Sequence, residues 1–285
     1  MWSLKCFVLM RLWNCSWLAV LLALLAAGCG RSRIERVEWP VMGTVAAVQV
    51  RMDRGVDVPS AVSRVKSAFE KVERLLNHRD AASEIRSLSS LSAQETLARC
   101  SDSVRSCYEA AFRLSEASGG AFNPRWRGDG TLDLGAIAKG FAVDAAADGF
   151  CPEEDVLIDL GGNLKSVRGS WKTGVKNPFG DGIVRVVDLK EGESLATSAV
   201  YYRGGHIRDG RTGQVVSNGV ASVTVRCSSA MWADGLSTTL FILGPEEGRE
   251  FLERSYSKLA VGGTVDVVWI MENGASIVYE KRPPS

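Results

Sequence analysis

The pattern of apolar and polar residues changes period several times along this chain. Val41 to Val50 is apolar and β-branched and predicts a strand, with Gly43 marking a bulge or a close backbone approach. From Ser60 the spacing becomes helical, with Ala61, Val62, Val65, Ala68, Phe69, Val72, Leu75 and Leu76 on one face. Asn77-His78-Arg79-Asp80 ends that helix, and Ser83-Glu84-Ile85 opens a short element. Asp102 or Ser101 is placed to cap a helix carrying the stripe Val104, Cys107, Ala111 and Leu114, which Gly119-Gly120 stops.

Residues 131–144 read as an apolar strand end that carries Asp133 into a turn at Gly135, followed by a helix of small residues containing Lys139 and Asp144. Val156–Leu160, Trp171–Val175 and Ile183–Leu189 read as strands, and 206–213 as a hairpin after Thr197 and Ser198. Ala221–Val225 alternates as a strand. Ser228-Ser229 then caps a helix running through Ala233, Leu236, Leu240 and Phe241 to a stop at Gly244-Pro245. A helix over 246–256 and strands over 265–271 and 276–279 close the chain. Helices and strands intersperse without regular alternation, which favours an α+β fold with mixed, largely antiparallel sheets over a doubly wound parallel sheet.

Composition sharpens this picture at one end only. The 285 residues are 46% hydrophobic and 24% charged, with a net charge of +1, ordinary values that give no sign of a nucleic-acid binder. The N-terminus departs from the average. Lys5 and Arg11 precede an apolar run from Trp13 to Ala27, ending Ala26-Ala27-Gly28-Cys29. This is the layout of an export signal, and the run is short against the roughly 20 residues of a membrane span. Residues 1–28 are therefore expected to be a lipoprotein signal peptide, with Cys29 the lipidated residue, 29–40 a tether and 41–285 the folded domain. An uncleaved anchor helix is the other reading. Both place the domain outside the cytoplasm, tethered to a membrane. Cys100 and Cys107 lie seven residues apart near a helix start, about 10 Å if both are helical, so a bridge between them is not expected.

Three groups of residues could carry chemistry. The joint at 131–144 offers free backbone N–H groups at a helix start together with Lys139, an arrangement that suits an anion such as phosphate. An ordinary joint with a solvated lysine is the alternative. Asp234 and Thr238 are four apart on a helix, so a carboxylate and a hydroxyl share a face and could serve a hard cation such as Mg²⁺, although such pairs are common. Of the two histidines, His78 and His206, the second sits in a glycine-flanked turn beside Asp209, where it could act as a base near neutral pH. Asp159-Leu160-Gly161-Gly162-Asn163 follows a strand but lacks G-x-G-x-x-G, and no Walker motif is present.

Taken in order, these stretches resemble the ApbE family of flavin transferases. The resemblance is carried by Met42-Gly43-Thr44, Ser83-Glu84-Ile85, Gly119 to Pro124, Leu132 to Gly140, Asp159 to Asn163, Thr197-Ser198, His206 to Gly213 and Ala233 to Thr238. It implies a two-lobed α+β fold with FAD in a cleft. It implies a Mg²⁺ site from the Ala136 carbonyl, Asp234 and Thr238, and nucleotide contacts from Met42, Asn77, Asp133, Ala136, Lys139, Thr197, Ser198, His206 and Ile207. The reaction implied is transfer of FMN from FAD to a threonine or serine hydroxyl of an exported acceptor protein, of the redox-pump or flavoprotein-subunit type, with release of AMP. His206, Asp234 and Lys139 would be the catalytic residues.

Some departures from the family pattern matter. Asn123 stands for Asp, Gly210 stands for Pro, and residues 77–83 lack the tyrosine that many members place against the flavin. Losing a stacked ring, worth about 1–3 kcal/mol by analogy with nucleic-acid platforms, loosens flavin binding and admits water. FAD hydrolysis to FMN and AMP is therefore a second expected activity, and a flavin-binding lipoprotein without turnover is the non-enzymatic alternative.

Overall fold

β1 (Ile34–Val41) and β2 (Thr44–Arg51) form a hairpin in the computed structural model, which describes residues 33–151, 153–199, 207–259 and 261–283. The apolar run, Cys29 and His206 lie outside the described residues. The chain divides after Arg33, and the fold described here is that of Ile34 onward.

Two strands thus replace the single one expected over 41–50, and β1 takes up most of the expected tether. The reason is local. Met42 (φ 50°) and Gly43 (φ 68°) both adopt left-handed backbone, the geometry of a two-residue hairpin turn. Before the turn, Val37, Trp39 and Val41 alternate inward, and Trp39 packs on Phe69 with ring centroids 6.3 Å apart.

The other strands in chain order are β3 (Val156–Leu160), β4 (Asn163–Ser166), β5 (Trp171–Lys176), β6 (Ile183–Leu189), β7 (Ser194–Ala199), β8 (Val220–Cys227), β9 (Val265–Met271) and β10 (Ser276–Lys281). Eight of them form one sheet in the order β1-β2-β3-β4-β7-β8-β9-β10, and β5-β6 stand apart as a hairpin. Every pairing among these strands is antiparallel.

The helices are α1 (Val58–Leu76), α2 (Glu84–Leu88), α3 (Ala93–Arg99), α4 (Arg105–Ala117), α5 (Ala138–Ala147) and α6 (Ala230–Leu259). They share one core with Val156, Ile158 and Leu160 of the sheet. The alternate residues Leu157 and Leu195 turn to the opposite face, where they pack with Trp171 and Leu189 of the β5–β6 hairpin.

Some element boundaries differ from expectation. α3 has no apolar stripe to announce it, and is set by a capping box between Ser92 and Glu95. α4 starts at Arg105, and Asp102 pairs with the Arg105 side chain at 3.3 Å instead of capping. No strand carries Asp133; residues 131–134 run without regular structure into the turn. The stop at Gly244-Pro245 is a kink inside α6, where Gly244 has φ 74°. Asn218 Nδ2 donates to the carbonyls of Phe241 (2.9 Å) and Ile242 (3.1 Å), satisfying groups the kink frees.

Candidate active site

The small residues of 131–144 are explained by how closely α5 crosses α6. A Cβ on Gly140 would stand 2.1 Å from the Ala230 carbonyl oxygen and 2.7 Å from Asp234 Cβ. Asp144 fixes the crossing by capping α6: it accepts from Ala230 N (3.0 Å), Met231 N (2.9 Å) and Ser229 Oγ (2.7 Å) and pairs with Lys165. Close approach at Gly140 sets Lys139 against Asp234. Lys139 Nζ is 3.3 Å from both carboxylate oxygens and 3.2 Å from the Gly135 carbonyl, and Gly140 N donates to Asp234 Oδ2 at 3.0 Å. Asp234 is only 4% exposed. Burial pushes its carboxyl above the ordinary carboxylate range, although the Lys139 ammonium and the amides of Lys139 and Gly140 oppose that rise.

Thr238 lies one turn beyond Asp234 on α6. Its Oγ1 is 3.0 Å from Ser198 Oγ, which also meets Ser237 Oγ at 2.8 Å. The Gly140 N–H that would close a helical turn onto Ala136 points to Asp234, so the Ala136 carbonyl accepts no hydrogen bond among the described residues. One buried carboxylate, one hydroxyl and one open carbonyl make an all-oxygen donor set. Such a set fits Mg²⁺, which keeps several waters and takes phosphate oxygens rather than a full protein cage. No cluster of three or more His, Cys, Asp or Glu able to hold a metal occurs among the described residues.

Asp133 anchors the far side of the turn. Its Oδ1 accepts from Gly135 N at 3.0 Å and lies 3.5 Å from His78 Nδ1, and its Oδ2 accepts from Arg127 at 2.8 Å. Burial pushes Asp133 up, but the Gly135 N–H, His78 and Arg127 together hold its carboxyl below the ordinary value. His78 is lowered, chiefly by burial, with Arg127, Arg79 and Arg86 adding to the effect and Asp133 opposing it. The stretch that lacks the tyrosine thus sets its His78 imidazole beside the Asp133 carboxylate. Asn77 is turned to local work: it caps α1 and accepts from Arg79 N at 3.0 Å.

The remaining predicted residues divide by strand alternation and by turn. Thr197 Oγ1 meets Thr224 Oγ1 at 2.9 Å, so of the adjacent pair Thr197-Ser198 only Ser198 meets Thr238. Met42 sits in the β1–β2 turn, beside a hollow lined by Val41, Thr44 and Glu73. Thr44, next along, packs against Gly161, where a Cβ would come within 2.5 Å of Thr44 Oγ1. Ile207 is buried, and its carbonyl accepts from Val216 N at 3.0 Å. Arg127 and Asp144 were not singled out as partners from sequence. Arg127 lies in a loop with no periodic signal, whereas Asp144 shares a helix with Gly140 at i,i+4 and could have been read as facing the same neighbour.

Residues 125–261 match the sequence pattern of the ApbE family. Two bacterial proteins named FAD:protein FMN transferase align with the chain: one from Klebsiella pneumoniae (strain 342) is 39% identical over 128 residues, 41% of this chain and 40% of the relative. One from Treponema pallidum (strain Nichols) is 33% identical over 148 residues, 42% of this chain and 41% of the relative. The fold is that of the ApbE family. The structure of the flavin transferase ApbE from Vibrio cholerae superposes with a TM-score of 0.70 at 21% identity, covering 87% of this chain and 97% of that one. The ApbE protein from Thermotoga maritima gives 0.69 at 21% identity, covering 86% and 96%. The sequence matches span about two fifths of the curated relatives' length. The stretch that matches the family pattern, residues 125–261, contains the α5–α6 crossing, and the likeness of the fold extends well outside it.

Proposed function

We propose that this protein transfers FMN from FAD to a threonine or serine hydroxyl of an exported acceptor protein, releasing AMP, with Mg²⁺ required. The observation that carries the reading is the buried Asp234 carboxylate, held between Lys139 and the Gly140 amide beside Thr238 and an open Ala136 carbonyl. The names of the relatives from Klebsiella pneumoniae and Treponema pallidum support it. Asp234, Thr238 and the Ala136 carbonyl would hold the ion, which when bound supplies charge neutralisation on a pyrophosphate and orientation of phosphorus for in-line displacement.

This chain's own residues do the rest. Lys139 adds a fixed positive charge at the start of α5. Asp144 and Gly140 hold α5 and α6 at the separation that keeps Lys139 and Asp234 together. Ser198 orients the Thr238 hydroxyl. His206 is the proposed base that takes the proton of the incoming hydroxyl. The protein is proposed to be exported and anchored to a membrane through Cys29 or the apolar run before it.

Hydrolysis of FAD to FMN and AMP is a second reading. It is favoured by the turn at Asn77 to Asp80, which carries an imidazole engaged with Asp133 where many family members carry a ring against the flavin. The full-length protein incubated with FAD and Mg²⁺, with and without an acceptor protein, decides between them by AMP, FMN and acceptor mass. Mass gain on the acceptor supports transfer, and AMP without acceptor supports hydrolysis. Asp234→Ala abolishes both; retained turnover would overturn the assignment.

A further inference from the structure

Four large apolar side chains left exposed on this protein fall within one hairpin. Phe179, Ile183, Val184 and Val186 are 48–62% exposed, all at or beside β6. Pairing of Gly174 with Val186 and of Lys176 with Ile183 puts Val186 and Ile183 on the face opposite Trp171 and Leu189, with Phe179 in the turn between the strands. Gly174 leaves room for Ile183 to lie across the strand: a Cβ there would meet Ile183 Cδ1 at 2.5 Å. Residues 171–190 also carry four exposed basic side chains, Lys172, Lys176, Arg185 and Lys190, against two acidic ones, Asp181 and Asp188. An exposed apolar patch with a basic surround marks an interaction surface.

The root of this hairpin lies beside the point where the described chain begins. Arg51, the cross-strand partner of Ile34, donates to the Ser170 carbonyl at 2.6 Å and lies 4.0 Å over the Trp171 ring. Only residues 30–33 separate Ile34 from Cys29. Fully extended, that stretch reaches at most about 18 Å. A strand of the length of β5 spans about 20 Å, so the hairpin face lies within reach of any surface that holds Cys29.

We propose that the outer face of the β5–β6 hairpin docks on the lipid bilayer to which the N-terminus is attached. Phe179, Ile183 and Val186 enter the headgroup boundary, and Lys172 and Lys190 lie against anionic headgroups. The short tether supplies proximity, the apolar residues insertion, and the basic residues a preference for anionic lipid. This rests on the anchored reading of the N-terminal segment.

The test uses the full-length protein on vesicles of neutral lipid and of neutral lipid mixed with phosphatidylglycerol. Benzoylphenylalanine is introduced at Phe179, at Val186 and, as a control, at Glu70 on α1. Flotation reads the anchor, and photo-adducts read the hairpin. The expected result is lipid adducts at positions 179 and 186 several-fold above those at 70, more on the anionic vesicles. A chain that floats without that excess, or that cross-links to a second copy instead, overturns the proposal alone. A chain that does not float overturns the anchored reading and the proposal with it.

Discussion

Asn123 donates from Nδ2 to the Gly210 carbonyl at 3.3 Å, while Gly210 N donates to the Ala121 carbonyl at 2.9 Å. At both positions the sequence departs from the ApbE pattern it resembles, and the structure joins them. Proline at 210 has no N–H to give Ala121, and aspartate at 123 has no N–H to give Gly210. A Cβ on Gly210 would also stand 2.3 Å from Asn123 Cβ. Gly210→Pro is therefore expected to destabilise by about 2–4 kcal/mol and Asn123→Asp by about 1–3 kcal/mol. In urea unfolding the double variant should lose less than the sum of the singles; additive losses would show the positions uncoupled.

Gly140 sets the distance between α5 and α6. Gly140→Ala places a methyl against the Ala230 carbonyl, so the helices must part. The expected loss is about 1–3 kcal/mol of stability. Turnover of FAD should fall more steeply than the folded fraction, because Lys139 and Asp234 separate. Activity tracking the folded fraction alone would remove the crossing from the mechanism.

Lys139 is the cation that faces Asp234 within the protein. Lys139→Ala leaves the buried carboxylate without its ammonium, a loss of about 3 kcal/mol by the usual penalty for breaking a buried pair. A divalent cation on the same carboxylate would offset part of that. The rise in melting temperature on adding Mg²⁺ should be larger in Lys139→Ala than in the parent, and should vanish in Asp234→Ala.

Asp144 caps the helix that carries Asp234 and Thr238. Asp144→Ala removes acceptors from the Ala230 and Met231 amides and the partner of Lys165, for an expected loss of about 1–2 kcal/mol. Hydrogen exchange of the first turn of α6 should accelerate; unchanged protection there would mean the cap is replaced by another acceptor.

Asp133 has a native pKa below its ordinary value, so it binds protons less readily folded than unfolded. Its contribution to stability is present above the ordinary carboxylate pKa of about 4 and fades as pH falls through the depressed native value. Asp133→Asn should therefore lower stability at neutral pH and flatten its loss between about pH 5 and pH 2. Parallel acid-denaturation curves for the two proteins would remove Asp133 from the linkage.

Most helices and strands were legible in the residues themselves. The stripe from Ala61 to Leu76, the apolar run Val156–Leu160 and the alternation of Ala221–Val225 each bury one face or one run, and burial of that kind is a local property of spacing. Asp234 and Thr238 could be placed on one helix face for the same reason, and the ordered motifs pointed to ApbE. What spacing cannot encode is which helix lies opposite. Lys139 is 95 residues from Asp234, and Gly140 means close approach only once Ala230 is known to be its neighbour. Likewise Asn123 and Gly210 look like separate, mild departures until one turn is folded onto the other. The sequence by itself determined the elements, their apolar faces and the kinds of groups available for chemistry. Tertiary structure alone decided which carboxylate meets which cation and which hydroxyl of Thr197-Ser198 meets Thr238, because those choices depend on contacts between segments that local propensity does not relate.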